Sequence, residues 1–208
     1  MHDTGPDEKA KPDHERLFRA ASQQGGYFTA AQARTSGFSW ASLSYHAGRG
    51  RFIRVRRGLY RLREYPGSTR EDVIAAWLAA GRDDAVVSHE SALDLLGLSD
   101  VVPDKVHLTL PRSKRYRPAP PGVAVHTTTK PLGPGDVVVR EGVRVTSAVR
   151  SIVDAAEAGT APEQIVAAIT ESLDRGLATR PQLLDAARSR SKRVEQLVQR
   201  GIAGEDGE

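Results

Sequence analysis

The sequence predicts an α+β chain: an N-terminal winged helix-turn-helix, then a mixed α/β domain with a small sheet and C-terminal helices. Three observations carry this. Two hydroxyl-capped helix starts follow one another at Thr29 and Ser39, each behind a phenylalanine (Phe28, Phe38), as two short helices joined by a tight turn require. An arginine-loaded stretch comes next, with Arg49, Arg51, Arg54, Arg56, Arg57, Arg61 and Arg63 interleaved with Phe52, Ile53, Val55, Leu59, Tyr60 and Leu62 and no acid among them. Beyond Pro66-Gly67-Ser68, β-rich runs and helical periodicities share the remainder of the chain.

Taken in order, residues 1–12 are polar with nothing to bury and read as a flexible tail. Pro12 and Asp13 open a helix on Leu17, Phe18 and Ala21, which Gly25-Gly26 ends. Thr29 and Gln32 form a capping box for a short helix over 30–36, with Phe28 as its hydrophobic staple, and Gly37 closes it. Ser39 caps a third helix over 39–47, and the ribbon 51–56 and 59–62, turning at Arg57-Gly58, is the wing. The DNA-binding domain is thus expected over 13–65 and a second domain over 69–200, with 201–208 a second tail.

In that second domain Thr69 and Asp72 start a helix on Val73, Ile74, Trp77 and Leu78. A short Val86-Val87 strand leads to a helix capped by Ser88 and stopped by Gly97. Val106, Leu108 and Leu110 alternate with His107 and Thr109 in a strand, Val123 and Val125 mark another, and Val137 to Val139 turns at Glu141-Gly142 into Val143 to Val145. The proline-rich 118–122 segment reads as a connection between strands. Helices follow from Ser147, over 162–175, from a Thr179/Gln182 capping box, and over 192–200.

Charge separates the two parts. Between Glu15 and Tyr65 ten arginines face two glutamates, a local charge of +8, while the remainder holds 20 bases against 24 acids, −4. A basic module joined to a mildly acidic one fits a protein of which one part meets a polyanion. No apolar run approaches the roughly 18 residues that span a bilayer, and the N-terminus has no signal-peptide pattern. A cytoplasmic protein with no membrane partner is expected. The absence of cysteine excludes disulfides, thiolate zinc sites and cysteine nucleophiles.

The third helix divides into two faces. Trp40, Leu43, Ser44 and Ala47 share one side, read as the packing side. Ser42, Tyr45, His46 and Arg49 share the other, and all four can hydrogen-bond base edges or phosphates in a major groove. Ser39 at the cap and Arg51, Arg54, Arg56, Arg57 and Arg61 on the ribbon complete the expected DNA-binding set. A second basic cluster, Arg112, Lys114, Arg115 and Arg117 around Tyr116, is a possible further nucleic-acid contact.

Catalytic and metal patterns are not found. His89, His107 and His126 occur singly, without ligand spacing on one face, so no metal and no cofactor is expected. Pro103-Asp104 superficially opens a nuclease signature, but no later acid has a lysine two residues on. No phosphate-binding Gly-Lys loop and no Gly-x-Ser-x-Gly elbow occurs, so no catalytic residue is expected.

These residues resemble a known family. Gly26-Tyr27-Phe28-Thr29, Gly37-Phe38-Ser39 and residues 48–60 (GRGRFIRVRRGLY) resemble the N-terminal winged helix-turn-helix of AbiEi-type antitoxins of type IV toxin–antitoxin systems. Ser88-His89-Glu90-Ser91-Ala92, Leu96-Gly97-Leu98, residues 107–112 (HLTLPR) and residues 145–154 look like the C-terminal antitoxin domain. The resemblance implies a cytoplasmic bacterial repressor that binds inverted repeats in its own promoter. It also implies an antitoxin that neutralises a nucleotidyltransferase-type toxin without stable toxin binding. Some similar actinobacterial proteins continue into an endonuclease-like domain. The alternative is a plain winged-helix regulator with a ligand-sensing or dimerising second domain, and an enzyme is the weaker rival.

Overall fold

A computed structural model describes residues 11–116 and 118–204, and the chain divides into two compact units, Met1–Ala79 and Ala80–Glu208. Most of the expected N-terminal tail lies outside the described residues, as does Arg117.

In the first unit, α1 (His14–Ser22) begins at Asp13, whose carboxylate accepts the Arg16 N–H at 2.8 Å. A short strand β1 (Tyr27–Thr29) leads into α2 (Ala30–Thr35), then α3 (Trp40–Gly48), β2 (Phe52–Arg56) and β3 (Leu59–Leu62). The Thr29/Gln32 capping box forms as its spacing dictates, and the Ser39 hydroxyl accepts the Ser42 N–H at 3.1 Å. Gly37, at φ 80°, makes the turn between α2 and α3. The sheet order is β1-β3-β2, all antiparallel, which is the winged helix-turn-helix arrangement.

The strand β1 is an addition to the sequence reading. Three residues are too few to show alternation, and Phe28 reaches its place by pairing across to Tyr60, not through the helix it precedes. Leu17, Phe28, Phe38, Leu43, Phe52 and Tyr60 close over one face of this sheet as the core. The start of α4 (Glu71–Ala80) belongs to the same unit, with Glu71 paired to Arg61. Gly26 is fixed by two demands at once: φ is +82°, and a Cβ there would run into the Tyr65 ring, whose hydroxyl donates to the Ser22 carbonyl at 3.0 Å.

The second unit holds a five-stranded mixed sheet. Its strands are β4 (Val86–Val87), β5 (Val106–Pro111), β6 (Val123–Thr128), β7 (Val137–Arg140) and β8 (Val143–Thr146), in the order β6-β5-β4-β8-β7. β5 and β6 run parallel, as do β4 and β8, while β4/β5 and β7/β8 are antiparallel. The helices are α5 (His89–Leu96), α6 (Ala148–Ala158), α7 (Pro162–Asp174), α8 (Arg180–Arg188) and α9 (Lys192–Ala203). Val86, Val87, Leu108, Val145 and Ile152 are among its fully buried residues.

The last helix runs past residue 201, where a tail is expected from the sequence. Gly201 and Ile202 are buried in the last turn of α9, because Ile202 extends the stripe of Val194, Leu197 and Val198. Gly201 sits where a Cβ would be 2.7 Å from the Ile169 Cδ1 of α7, so the glycine reads as a packing contact and not as a stop. Residues 205–208 lie outside the described ones.

Candidate nucleic-acid interface

The buried stripe of α3 is Leu43 and His46, with Ala47 partly covered. This corrects the face assignment on three residues, Trp40, Ser44 and His46. Trp40 is 55% exposed, because Phe38 already fills the core position at the helix entry and leaves the indole outside. It lies under the Arg34 guanidinium, 5.8 Å from the ring centroid. His46 is only 8% exposed and turns inward, touching the rings of Phe38, Phe52 and His14, so it does not belong to a reading face. Its pKa is lowered, first by burial and then by His14 and Arg51.

The outward side of α3 is therefore Ala41, Ser44, Tyr45 and Gly48, at the i, i+3, i+4 and i+7 spacing of one face. Tyr45 is 57% exposed, with the Arg49 guanidinium 5.5 Å from its ring centroid. Ser42 is half-buried, and its hydroxyl donates back to the Ser39 carbonyl at 3.0 Å, which spends it on the cap. Ser39 itself stays exposed. Ser44, placed on the packing side by the sequence, faces out instead.

The ribbon has two covered faces and a cationic tip. Phe52 lies across from Leu62 and Arg54 across from Tyr60, so Arg54 continues the core-facing row past its end and emerges exposed. A bulge between Arg54 and Arg56 throws Val55 outward, 40% exposed, and lets Arg56 and Arg57 crown the turn. Tyr27 and Arg61 share the other face, where Glu71 of α4 meets both. Burial first, and then the Glu71 charge, pushes the Tyr27 hydroxyl up to about 12. Arg61 is thus already paired with a carboxylate, unlike the other arginines of the expected DNA-binding set. Arg63 donates to the Gly50 carbonyl and ties the ribbon to the end of α3. Among the described residues Arg49, Arg51, Arg54, Arg56 and Arg57 make no ion pair with a carboxylate.

The second basic cluster is partly committed. Lys114 pairs with Asp84 at 3.3 Å, and Arg115 folds back, its guanidinium 4.2 Å from the Tyr116 ring centroid and donating to the Tyr116 hydroxyl at 3.0 Å. Arg112 is exposed, and Arg117 lies outside the described residues.

The three histidines read as isolated come together. His89 starts α5, His107 lies on β5 and His126 on β6, and one ring nitrogen from each lies within 4.8 Å of the others. The parallel register sets Thr109 beside His126, and His107 precedes Thr109 by two on the same face. His89 and His126 stack at 3.6 Å between centroids, and His126 Nε2 lies 3.1 Å from His107 Nδ1. Burial first, then the two other rings and Arg150 and Arg190, pushes the His89 imidazole down to about 2. The sequence signal is one histidine per element, at separations of 18 and 19 residues.

No curated protein matches the sequence. Among solved structures the fold resembles the crystal structure of RV2827C protein from Mycobacterium tuberculosis, with a TM-score of 0.59 at 15% identity over 96% of this chain and 79% of that one. At that identity the likeness speaks for the fold alone. No helix among the described residues is long and apolar enough to cross a membrane. Residues 15–63, from Glu15 in α1 to Arg63 just past β3, match the family model described as transcriptional regulator, AbiEi antitoxin, and the matched segment is the helix-turn-helix with its wing.

Proposed function

We propose that the chain is a DNA-binding antitoxin and transcriptional autorepressor. In this reading α3 enters the major groove of inverted repeats in the chain's own promoter, where Ser44, Tyr45 and Arg49 meet base edges. Arg51, Arg54, Arg56 and Arg57 hold the flanking phosphates. The second unit neutralises a nucleotidyltransferase-type toxin without forming a stable complex with it, as the resemblance of residues 88–98, 107–112 and 145–154 implies. The observation that carries the DNA half is the row of five arginines, Arg49 to Arg57, beside an exposed hydroxyl-bearing helix face, which among the described residues pair with no carboxylate.

Binding to the upstream duplex tests it. Neutralising about four phosphates gives log K against log[salt] a slope of roughly −3 to −4. Arg56→Glu with Arg57→Glu removes two of those contacts and adds repulsion, lowering affinity about 100-fold or more at 0.1 M salt. Salt-independent binding, or an unaffected double variant, overturns the reading.

A plain regulator with a ligand-sensing second unit is the second reading. It is favoured by a cavity of about 390 Å³ whose wall includes Val86, Leu110, Pro111, Leu132, Arg112 and Arg144. The full-length Arg56→Glu/Arg57→Glu chain separates the two, with it and the neighbouring toxin gene expressed from independent promoters. Rescue of growth without DNA binding supports the antitoxin role. Failure of the unaltered chain to rescue leaves the plain regulator.

A further inference from the structure

We propose that His89, His107 and His126 form a binding site for a divalent transition-metal cation, zinc the first to test, in the second unit. The inference stands on the second unit alone and is independent of the DNA reading.

Three imidazoles converging from a helix start and two parallel strands supply the borderline nitrogen donors such cations select. The spacing suits the ion. Zinc–nitrogen bonds of about 2.0–2.1 Å in a tetrahedron put neighbouring nitrogens about 3.3 Å apart. His126 Nε2 and His107 Nδ1 already stand 3.1 Å apart. The third donor lies within 4.8 Å of both, a gap that side-chain rotation closes.

The surroundings orient the donors. His89 Nδ1 lies 2.9 Å from the Ser88 hydroxyl, which in turn accepts from Thr109 Oγ1 at 2.8 Å, leaving His89 Nε2 as the nitrogen for a cation. Ser88 stands at the N-cap position of α5 but makes no side-chain cap, so its hydroxyl serves the imidazole instead of the helix. On β5 the His107 N–H donates to Ser91 Oγ at 2.9 Å, fixing the strand that carries the second ring. His89 is also one of two non-glycine residues with positive φ among the described residues, at 53°. A residue with a Cβ rarely adopts that conformation, and here it brings a buried imidazole beside the other two. Burial disfavours protonation of all three rings, so each keeps a lone pair.

Stacked rings cannot both point at one cation. His89 and His126 lie 18° from parallel, so a loaded site has one of them turned about Cβ–Cγ, a soft torsion. The fourth position is filled by water or by Glu90, which neighbours His89 and accepts from Thr160 Oγ1 at 2.8 Å.

The test is titration of the chelator-treated, untagged full chain with zinc, read by calorimetry and by thermal unfolding, with cobalt absorption as a second readout. One equivalent binds with Kd below about 1 μM and raises Tm by about 5–10 °C at saturating zinc. Cobalt gives the intense visible bands of four-coordinate nitrogen ligation. His107→Gln and His126→Gln, which spare the strained His89, each weaken zinc binding more than about 100-fold, since losing even a residue that only orients a ligand costs about 10–100-fold. Both must unfold, metal-free, within a few degrees of the unaltered chain. His2→Gln with His14→Gln binds as the unaltered chain does. No binding at 100-fold excess zinc over protein, or binding that survives both cluster variants, overturns the site.

Discussion

The arginines of the two units are put to opposite uses. In the first unit, Arg49, Arg51, Arg54, Arg56 and Arg57 run from the end of α3 to the tip of the wing and meet no carboxylate among the described residues. In the second, five arginines are structural fasteners. Arg150 donates to Asp154 at 2.7 Å and Arg190 grips its other oxygen. Arg175 caps the end of α5 through the Leu96 and Gly97 carbonyls at 2.9 and 3.0 Å. Arg193 reaches the Ala156 carbonyl at 2.7 Å, and Arg144 reaches that of Asp83 at the same distance. A count of arginines does not tell these apart. Whether the guanidinium is already satisfied does, because a paired cation has little left to give a phosphate.

The largest effect that sharpens this contrast is expected at Asp154. Its carboxylate is buried and holds two guanidinium groups that are themselves mostly covered. Asp154→Ala leaves both cations without their anion and costs the second unit about 3 kcal/mol, read as a lowered urea midpoint. Arg56→Glu with Arg57→Glu changes the unfolding free energy of the first unit by less than about 0.5 kcal/mol while lowering DNA affinity. Equal destabilisation by the two changes would erase the distinction between fastening and displayed arginines.

Local signals made most of the fold legible. Capping residues are read at short range, and so the starts of α1, α2, α3 and α8 sit where Asp13, Thr29, Ser39 and Thr179 put them. What escaped depended on pairing across the chain. β1 exists because Phe28 finds Tyr60, and the histidines meet because β5 and β6 run parallel in one register. His107 and Thr109 look like the wet side of an alternating strand, yet Thr109 is 3% exposed, since that side carries its own buried hydrogen bonds. Ser88, likewise, signals a cap and serves an imidazole. On α3 a tryptophan outweighed a histidine as the expected core residue, and the fold chose otherwise because Phe38 had taken the place.

That inward histidine gives the next effect in size. His46 is buried against Phe38 and Phe52, its Nδ1 has no hydrogen-bond partner among the described residues, and His14 and Arg51 add positive charge beside it. Its folded pKa lies below the ordinary 6.5, so the unfolded chain binds the proton more readily. Stability from this residue is complete above about pH 6.5 and is lost as the pH falls through the folded pKa, with a slope of at most about 1.4 kcal/mol per pH unit. The difference between the unaltered chain and His46→Gln in the first unit's stability, measured between pH 7.5 and 5, should shrink toward the acid end. A constant difference would mean His46 is not held neutral.

The smallest effect is the most exacting, because it sets two arginines of one ribbon against each other. Arg57 crowns the turn, whereas Arg61, four residues on, faces Glu71 with only 20% of its side chain exposed. If satisfaction decides, Arg57→Gln weakens binding about eight-fold at 0.1 M salt and flattens the salt slope by about 0.9. Arg61→Gln leaves both within error, and costs the fold no more than about 1 kcal/mol for a partly exposed pair. A salt slope that falls by nearly one unit in Arg61→Gln would mean that Glu71 releases its arginine to the duplex. The pair would then be a contact exchanged on binding, and α4 would feel the DNA through it.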